Sequence, residues 1–238
     1  MTGHFALMKP ILPLRLAALF SLVAFTTFAA DKPQTMALTN GKDLTGWNML
    51  GGKGAKQWKY GKASLDPADP TKLKVDGEGE ELVSPEKGSN LSTEAKFGDC
   101  VVETEFMLAK DSNSGIKLMN IYEIQMLDSY GKANPDKHDN GAVYDENPPL
   151  VNASKPAGEW QTLRIEFHAP RFDADGKKTA NAKFIRVVLN GKLVQENVEI
   201  AHGTNVGRNA PEHPTGPIYL QGDHGPVAFR HLTVTPLE

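Results

Sequence analysis

The chain has a single cysteine, Cys100, among its 238 residues, so no internal disulfide can form. Cys100 sits in an apolar stretch and reads as a small buried hydrophobe. Basic clusters are also missing. The 26 Lys and Arg are outnumbered by 29 Asp and Glu, a balance that gives no case for nucleic acid or an anionic membrane as a partner. No HExxH or CxxC spacing occurs and the seven His are scattered, so no metal motif is written into the residue order. A nucleophilic serine has no recognisable elbow. Helical periodicity is nearly absent beyond residue 30.

The first thirty residues differ from the rest. Lys9 and Arg15 lie ahead of and around an apolar run from Leu16 to Phe28, followed by Ala29, Ala30 and the polar Asp31. That order reads as a secretory signal peptide cleaved after Ala29 or Ala30, and predicts a secreted or periplasmic protein. The apolar core is shorter than the ~20 residues of a membrane span, so no stable span is expected after cleavage. Residues 1–30 carry two basic side chains and no acid. The remainder therefore has a net charge of about −5, against −3 for the whole chain. Residues 31–238 suffice for one sizeable core and are expected to form a single domain.

What recurs along this domain is short runs of alternating apolar and polar residues, separated by Gly, Pro, Asn and Asp. In Cys100 to Leu108, Val102, Phe106 and Leu108 oppose Glu103 and Glu105. Leu163, Ile165 and Phe167 share a face, and Ile185, Val187 and Leu189 are expected to do the same. Asn190-Gly191 signals a type I′ hairpin, because both central residues need positive φ. Ile218 and Leu220, Val227 and Phe229, then Leu232 and Val234 read as closing strands. Ten or more strands with one apolar face each need a second sheet to cover them, which predicts an all-β, two-sheet antiparallel β-sandwich of jelly-roll type. Trp47 is expected in the core.

Two long irregular stretches, Ser129 to Ala157 and Ala201 to Thr215, are candidate rims of a binding site. The first holds His138, Asp139, Asn140 and Tyr144; the second holds His202, Arg208, Glu212 and His213. The densest polar cluster is Asn113-Ser114-Gly115-Ile116 followed by Tyr122 to Asp128. In a regular strand Glu123 and Gln125 share a face and Asp128 points away. A β-bulge after Gln125 would bring Asp128 round, so that acid, amide and acid line one surface and divide acid and base roles. The alternative is a solvated Glu123 and an Asp128 that caps the next loop. In the run from Gly216 through Gln221 to Gly225, His224 is bracketed by glycines and could transfer protons, bind a metal or make only a local hydrogen bond. Arg230 is read as the partner of a carboxylate. Trp160 is either a sugar-stacking face or a core plug. Asp128, His138, Asp139 and His224 could converge on a divalent ion.

These segments carry a resemblance. Leu38 to Trp47, LTNGKDLTGW, resembles the opening FNGKDLSGW of the 3-keto-disaccharide hydrolase domain family. Further family signatures follow in order: NSGI at Asn113 to Ile116, an E-x-Q-x-x-D strand at Glu123 to Asp128, and GAxY at Gly141 to Tyr144. An EWN entry is similar to Glu159 to Gln161, an NG hairpin to Asn190-Gly191, and a closing GPIxLQxHG…FRN to Gly216 to Gly225 with Phe229 to His231. Gln161 and His231 stand where the family usually has Asn, and an extra Asp223 precedes His224.

The resemblance implies a concanavalin A-like jelly roll and hydrolysis of glycosides already oxidised at carbon 3, an oxidised disaccharide being the substrate. A ketone at C3 acidifies the C2 proton, so a base can remove it, the C1 group can leave, and water can add back. His224 or Glu123 would be the base, and Asp128 the acid or a metal ligand. Gln125 and Tyr144 would orient the sugar, with Asn113, His138, Trp160 and Gln221 as further binding residues. A divalent ion could polarise the enolate oxygens. The alternatives are a non-catalytic carbohydrate-binding module, since fold does not fix function, and an ordinary endo-β-glucanase. Gln125, in place of the glucanase Asp, argues against the latter.

Overall fold

Alternating strands cannot bury one face alone, and here they stack as two sheets around a shared core. A computed structural model describes residues 1–4, 34–51 and 58–237. The expected signal peptide lies, but for its first four residues, outside the described residues. The chain divides into Met1–Lys32 and Pro33–Glu238, and the second unit carries the fold. Among the described residues no helix is long and apolar enough to cross a membrane.

The strands are, in order, β1 (Met36–Ala37), β2 (Trp47–Leu50), β3 (Lys59–Leu65), β4 (Leu73–Ser84) and β5 (Asn90–Thr93). Then come β6 (Cys100–Leu108), β7 (Asn113–Leu118), β8 (Tyr122–Leu127), β9 (Gln161–His168) and β10 (Arg171–Phe172). The last five are β11 (Lys178–Ala180), β12 (Ala182–Leu189), β13 (Lys192–Ile200), β14 (Tyr219–Leu220) and β15 (Val227–Pro236). The larger sheet runs β13-β12-β9-β6-β15-β4-β3, with β1 also paired to β15; the smaller runs β2-β5-β14-β7-β8. All these pairings are antiparallel. The protein is thus a jelly-roll sandwich.

Inward residues follow the alternation. Phe106, Leu108, Leu163, Ile165 and Phe167 from the large sheet meet Ile116, Leu118, Tyr122, Ile124 and Met126 from the small one in one buried cluster. Trp47 joins it, and its indole N–H donates to Leu38 O at 2.8 Å. Asn190 and Gly191 both take positive φ, 49° and 74°, as a type I′ turn requires.

Two irregularities displace the simple pattern. The β9–β12 register shifts between Phe184 and Arg186, so Phe184 is buried with Val187 and Leu189 while Ile185 is not. Ile185 was expected inside; the bulge turns it outward. A second shift, between Arg230 and Thr233, lets Phe229 and Leu232 both face the core at a spacing of three.

Cys100 is 1 % exposed, and β6 is paired on both sides, by β9 and β15. Burial pushes its thiol up to about 12. The thiolate is the reactive form, so at about pH 8 the folded protein should resist a thiol reagent and label only on unfolding. Labelling of the native protein at the rate of a free cysteine would contradict this packing.

Candidate functional site

The outer face of the small sheet, turned away from the core, is polar at its centre. Lys117 pairs with Glu123 across β7 and β8, and Gly115 with Gln125. Their neighbours Ile116 and Ile124 point inward, so period-two alternation sends Lys117, Glu123 and Gln125 outward together. Beside them on β14, Tyr219 pairs with Lys117. This outer face is nevertheless covered: Lys117, Glu123, Gln125 and Gln221 are 8 %, 3 %, 2 % and 9 % exposed.

Loops build the cover. Residues 141–144 run along the free edge of β8, with Gln125 N–H donating to Ala142 O and Tyr144 N–H to Glu123 O, at 2.9 and 3.1 Å. That places Tyr144 beside Glu123. Across the end of β8, Thr204 Oγ donates to Ile121 O and accepts from Glu123 N–H, which brings Asn205 to the rim. Asn113, Tyr144, Asn205, Tyr219, Gln221, Asp223 and His224 surround the Lys117–Glu123–Gln125 centre, enclosing a cleft of about 240 Å³. That is just below the size of most ligand pockets, which run to roughly 300–1,000 Å³. Larger hollows of about 530 Å³ beside His231 and 520 Å³ beside Arg171 exist, but the charged residues that line them are half-buried or exposed.

Lys117 Nζ stands 3.3 Å from Glu123 Oε2 and 5.1 Å from the centre of the Tyr219 ring. Burial raises the Glu123 carboxyl above its usual range; Lys117 opposes this without cancelling it. Burial likewise raises the Tyr219 and Tyr144 hydroxyls, with Glu123 adding to both. A Cβ at Gly115 would overlap the Glu123 carboxylate, so glycine there makes the room in which the acid lies. Gln125 Nε2 donates to Asn113 Oδ1 at 3.4 Å. The Oε1 atoms of Gln125 and Gln221 are buried with no hydrogen-bond partner, an arrangement that natural interiors avoid. At the mouth, His224 Nδ1 lies 2.6 Å from Asp223 Oδ1.

Of the residues singled out in the sequence, Glu123, Gln125, Asn113, Tyr144, Gln221 and His224 come together in this cleft. Three do not. The β7–β8 register is unbroken from Leu118↔Tyr122 to Asn113↔Leu127, so the bulge that was to turn Asp128 inward does not form. Asp128 instead accepts from Asp111 N–H at 2.9 Å and caps the turn before β7. Trp160 packs on a separate cluster of Leu73, Val83, Met107, Ala109 and Ala228, under the guanidinium of Arg230 at 4.2 Å. Val83, Met107 and Ala228 alternate with core residues, so Trp160 covers the outer face of the large sheet. Arg230 itself pairs with Glu105, Nε to Oε2 at 2.7 Å. His138 stands behind the cleft wall, its ring edge-on to Tyr144 at 5.3 Å and its Nε2 3.4 Å from Asp145.

The four residues considered for a divalent ion therefore do not converge. Asp139 pairs with Lys132 and accepts from Asp136 N–H. Among the described residues no three His, Cys, Asp or Glu side chains are grouped to hold a metal, and the buried carboxylate of the cleft faces an ammonium group. Lys117, Tyr219 and Asn205 were missed. Lys117 alone had a readable signal: it lies two and four residues from Gly115 and Asn113, on the face that pairs with Glu123.

Similar solved structures agree with this fold. One of a candidate glycosyl hydrolase from Parabacteroides distasonis is 27% identical with a TM-score of 0.66, covering 85% of this chain and 84% of that one. Another candidate glycosyl hydrolase from the same organism is 17% identical with a TM-score of 0.59, covering 86% and 94%. No curated protein sequence matches. The family signature of the 3-keto-α-glucoside-1,2-lyase-like domain matches residues 34–235, and the chain belongs to that family.

Proposed function

We propose that this protein cleaves glycosides already oxidised at carbon 3, by elimination across C1–C2 followed by addition of water. The observation that carries the reading is the buried Lys117–Glu123 pair, set beside two partnerless amide oxygens and opening toward His224. A ligand rich in hydroxyl donors would satisfy Gln125 and Gln221, and a ketone oxygen would accept from Lys117. Membership in a 3-keto-α-glucoside-1,2-lyase-like family supports the oxidised substrate, and the likeness to a candidate glycosyl hydrolase supports a glycoside.

The ketone at C3 acidifies the C2 proton, and His224 removes it. The C2–H electron pair forms the C1=C2 bond. The C1–O pair leaves with the glycosidic oxygen, which takes a proton from Glu123. Lys117 faces the negative charge that gathers on the C3 oxygen, where a preplaced cation is most effective. Burial favours the protonated form of Glu123 while Lys117 opposes it, so once the C3 oxygen engages Lys117 the carboxyl can take up the proton that the acid role first considered for Asp128 requires. Water then adds at C1, giving a proton to Glu123, while His224, its proton exchanged with the solvent at the cleft mouth, protonates C2. Tyr144 and Asn113 orient the ring.

The purified protein should release 3-keto-glucose from 3-keto-trehalose, or 3-keto-galactose from 3-keto-lactose, and leave the parent sugars intact. Glu123→Gln and His224→Ala should each abolish release. Saturable binding of the sugars without turnover would mark a carbohydrate-binding module instead, and cleavage of an unoxidised β-glucan would mark an ordinary glucanase.

The room at Gly115 gives a separate prediction. Gly115→Ala should displace the Glu123 carboxylate and lower kcat/KM by roughly 10–100-fold, since misplacement of about 1 Å at a reacting group costs on that order. Unchanged kinetics in a folded Gly115→Ala protein would show that the position of Glu123 does not matter.

A further inference from the structure

The turn between β14 and β15 is held more firmly than an exposed histidine requires. Asn90, at the start of β5, binds it three times. Its Oδ1 accepts from Gly222 N–H at 2.8 Å and from Asp223 N–H at 3.2 Å, and its Nδ2 donates to Asp223 Oδ2 at 3.0 Å. Gly88 N–H donates to Gly222 O at 2.8 Å. The flanking glycines allow this closeness. A Cβ at Gly222 would overlap Ser89 O and press on the Trp58 ring, and one at Gly225 would overlap Ser112 Oγ and crowd Asn113 N. The turn therefore lies flush against the strands that carry the cleft. Both oxygens of Asp223 are committed, Oδ2 to Asn90 and Oδ1 to His224 Nδ1 at 2.6 Å.

We propose that Asp223, anchored by Asn90, is a positioning residue that fixes His224 with its proton on Nδ1 and its lone pair on Nε2. The proposal rests on the reading of His224 as the base. A neutral imidazole has one donor and one acceptor nitrogen, and the partner of one nitrogen decides the state of the other. A carboxylate can only accept here, so Nδ1 must donate, and Nε2 is left as the one site that can take a proton. Burial works against the charge on Asp223, but the hydrogen bonds from Asn90 and His224 outweigh it and hold the carboxyl below its usual range. Asp223 thus stays an acceptor near neutrality.

The test is nitrogen-15 NMR of the intact protein at about pH 8.5, where imidazoles are neutral, with the His224 signals identified by their loss in His224→Ala. The wild type should show His224 protonated at Nδ1 and bare at Nε2. Asp223→Asn should lose that preference, because an amide can donate to Nδ1 as well as accept from it. On a 3-keto-disaccharide, Asp223→Asn should lower kcat by roughly 10–100-fold, the usual range for removing a group that orients another, with KM little changed. A wild-type His224 protonated at Nε2 would overturn the proposal, without need of any variant. So would an Asp223→Asn protein that keeps both the wild-type tautomer and the wild-type rate. If the wild type turns over no 3-keto sugar, the reading of the function fails, and the tautomer measurement still decides whether Asp223 sets the imidazole.

Discussion

A charged pair withdrawn from water organises this molecule. Lys117 and Glu123, with side chains 10 % and 5 % exposed, face each other across two neighbouring strands. Removing one partner of such a pair costs about 3–5 kcal/mol, because the other charge is left buried alone. Replacing both with apolar residues is often neutral or favourable. The pair is therefore weak as a device for stability and strong as a device for chemistry. Most of its surroundings can be understood as what it takes to keep it dry and in place.

Three features do that. The unbroken β7–β8 register sets lysine opposite acid and glycine opposite amide. The 141–144 segment pairs with the free edge of β8, which both protects that edge and supplies Tyr144. Thr204 satisfies the backbone at the start of β8 and brings its loop across the sheet. The outer face of the large sheet is covered differently. There Trp160, Arg230 and Glu105 make a packed and ion-paired cover.

Alternation made much of this legible from residue order. The faces of β6 and β9, the Asn190-Gly191 turn and the shared face of Glu123 and Gln125 could be read because period two and turn chemistry are local properties of the chain; His224 stood out by its flanking glycines, and Asn113, Tyr144 and Gln221 by the family resemblance. Bulges are not local in that sense. One was expected after Gln125 and is absent, leaving Asp128 as a cap. One that went unread, at Phe184–Arg186, moved Ile185 out of the core. Trp160 could not be placed because an aromatic before a strand packs equally well on either sheet. Lys117 was passed over because lysine in a strand usually faces water. Only the loops that later cover it, far away in sequence, make it a buried cation.

The central claim is that cleavage begins with loss of the C2 proton. It is tested most directly by the isotope effect on kcat/KM for a 3-keto-glucoside deuterated at C2, followed by analysis of the product formed in heavy water. The account predicts a primary isotope effect, a slowing of several-fold, and solvent deuterium at C2 of the 3-keto-glucose at the earliest times sampled. Cleavage with no isotope effect and with the C2 hydrogen retained would contradict it, since the bond at C1 would then break without any proton leaving its neighbour.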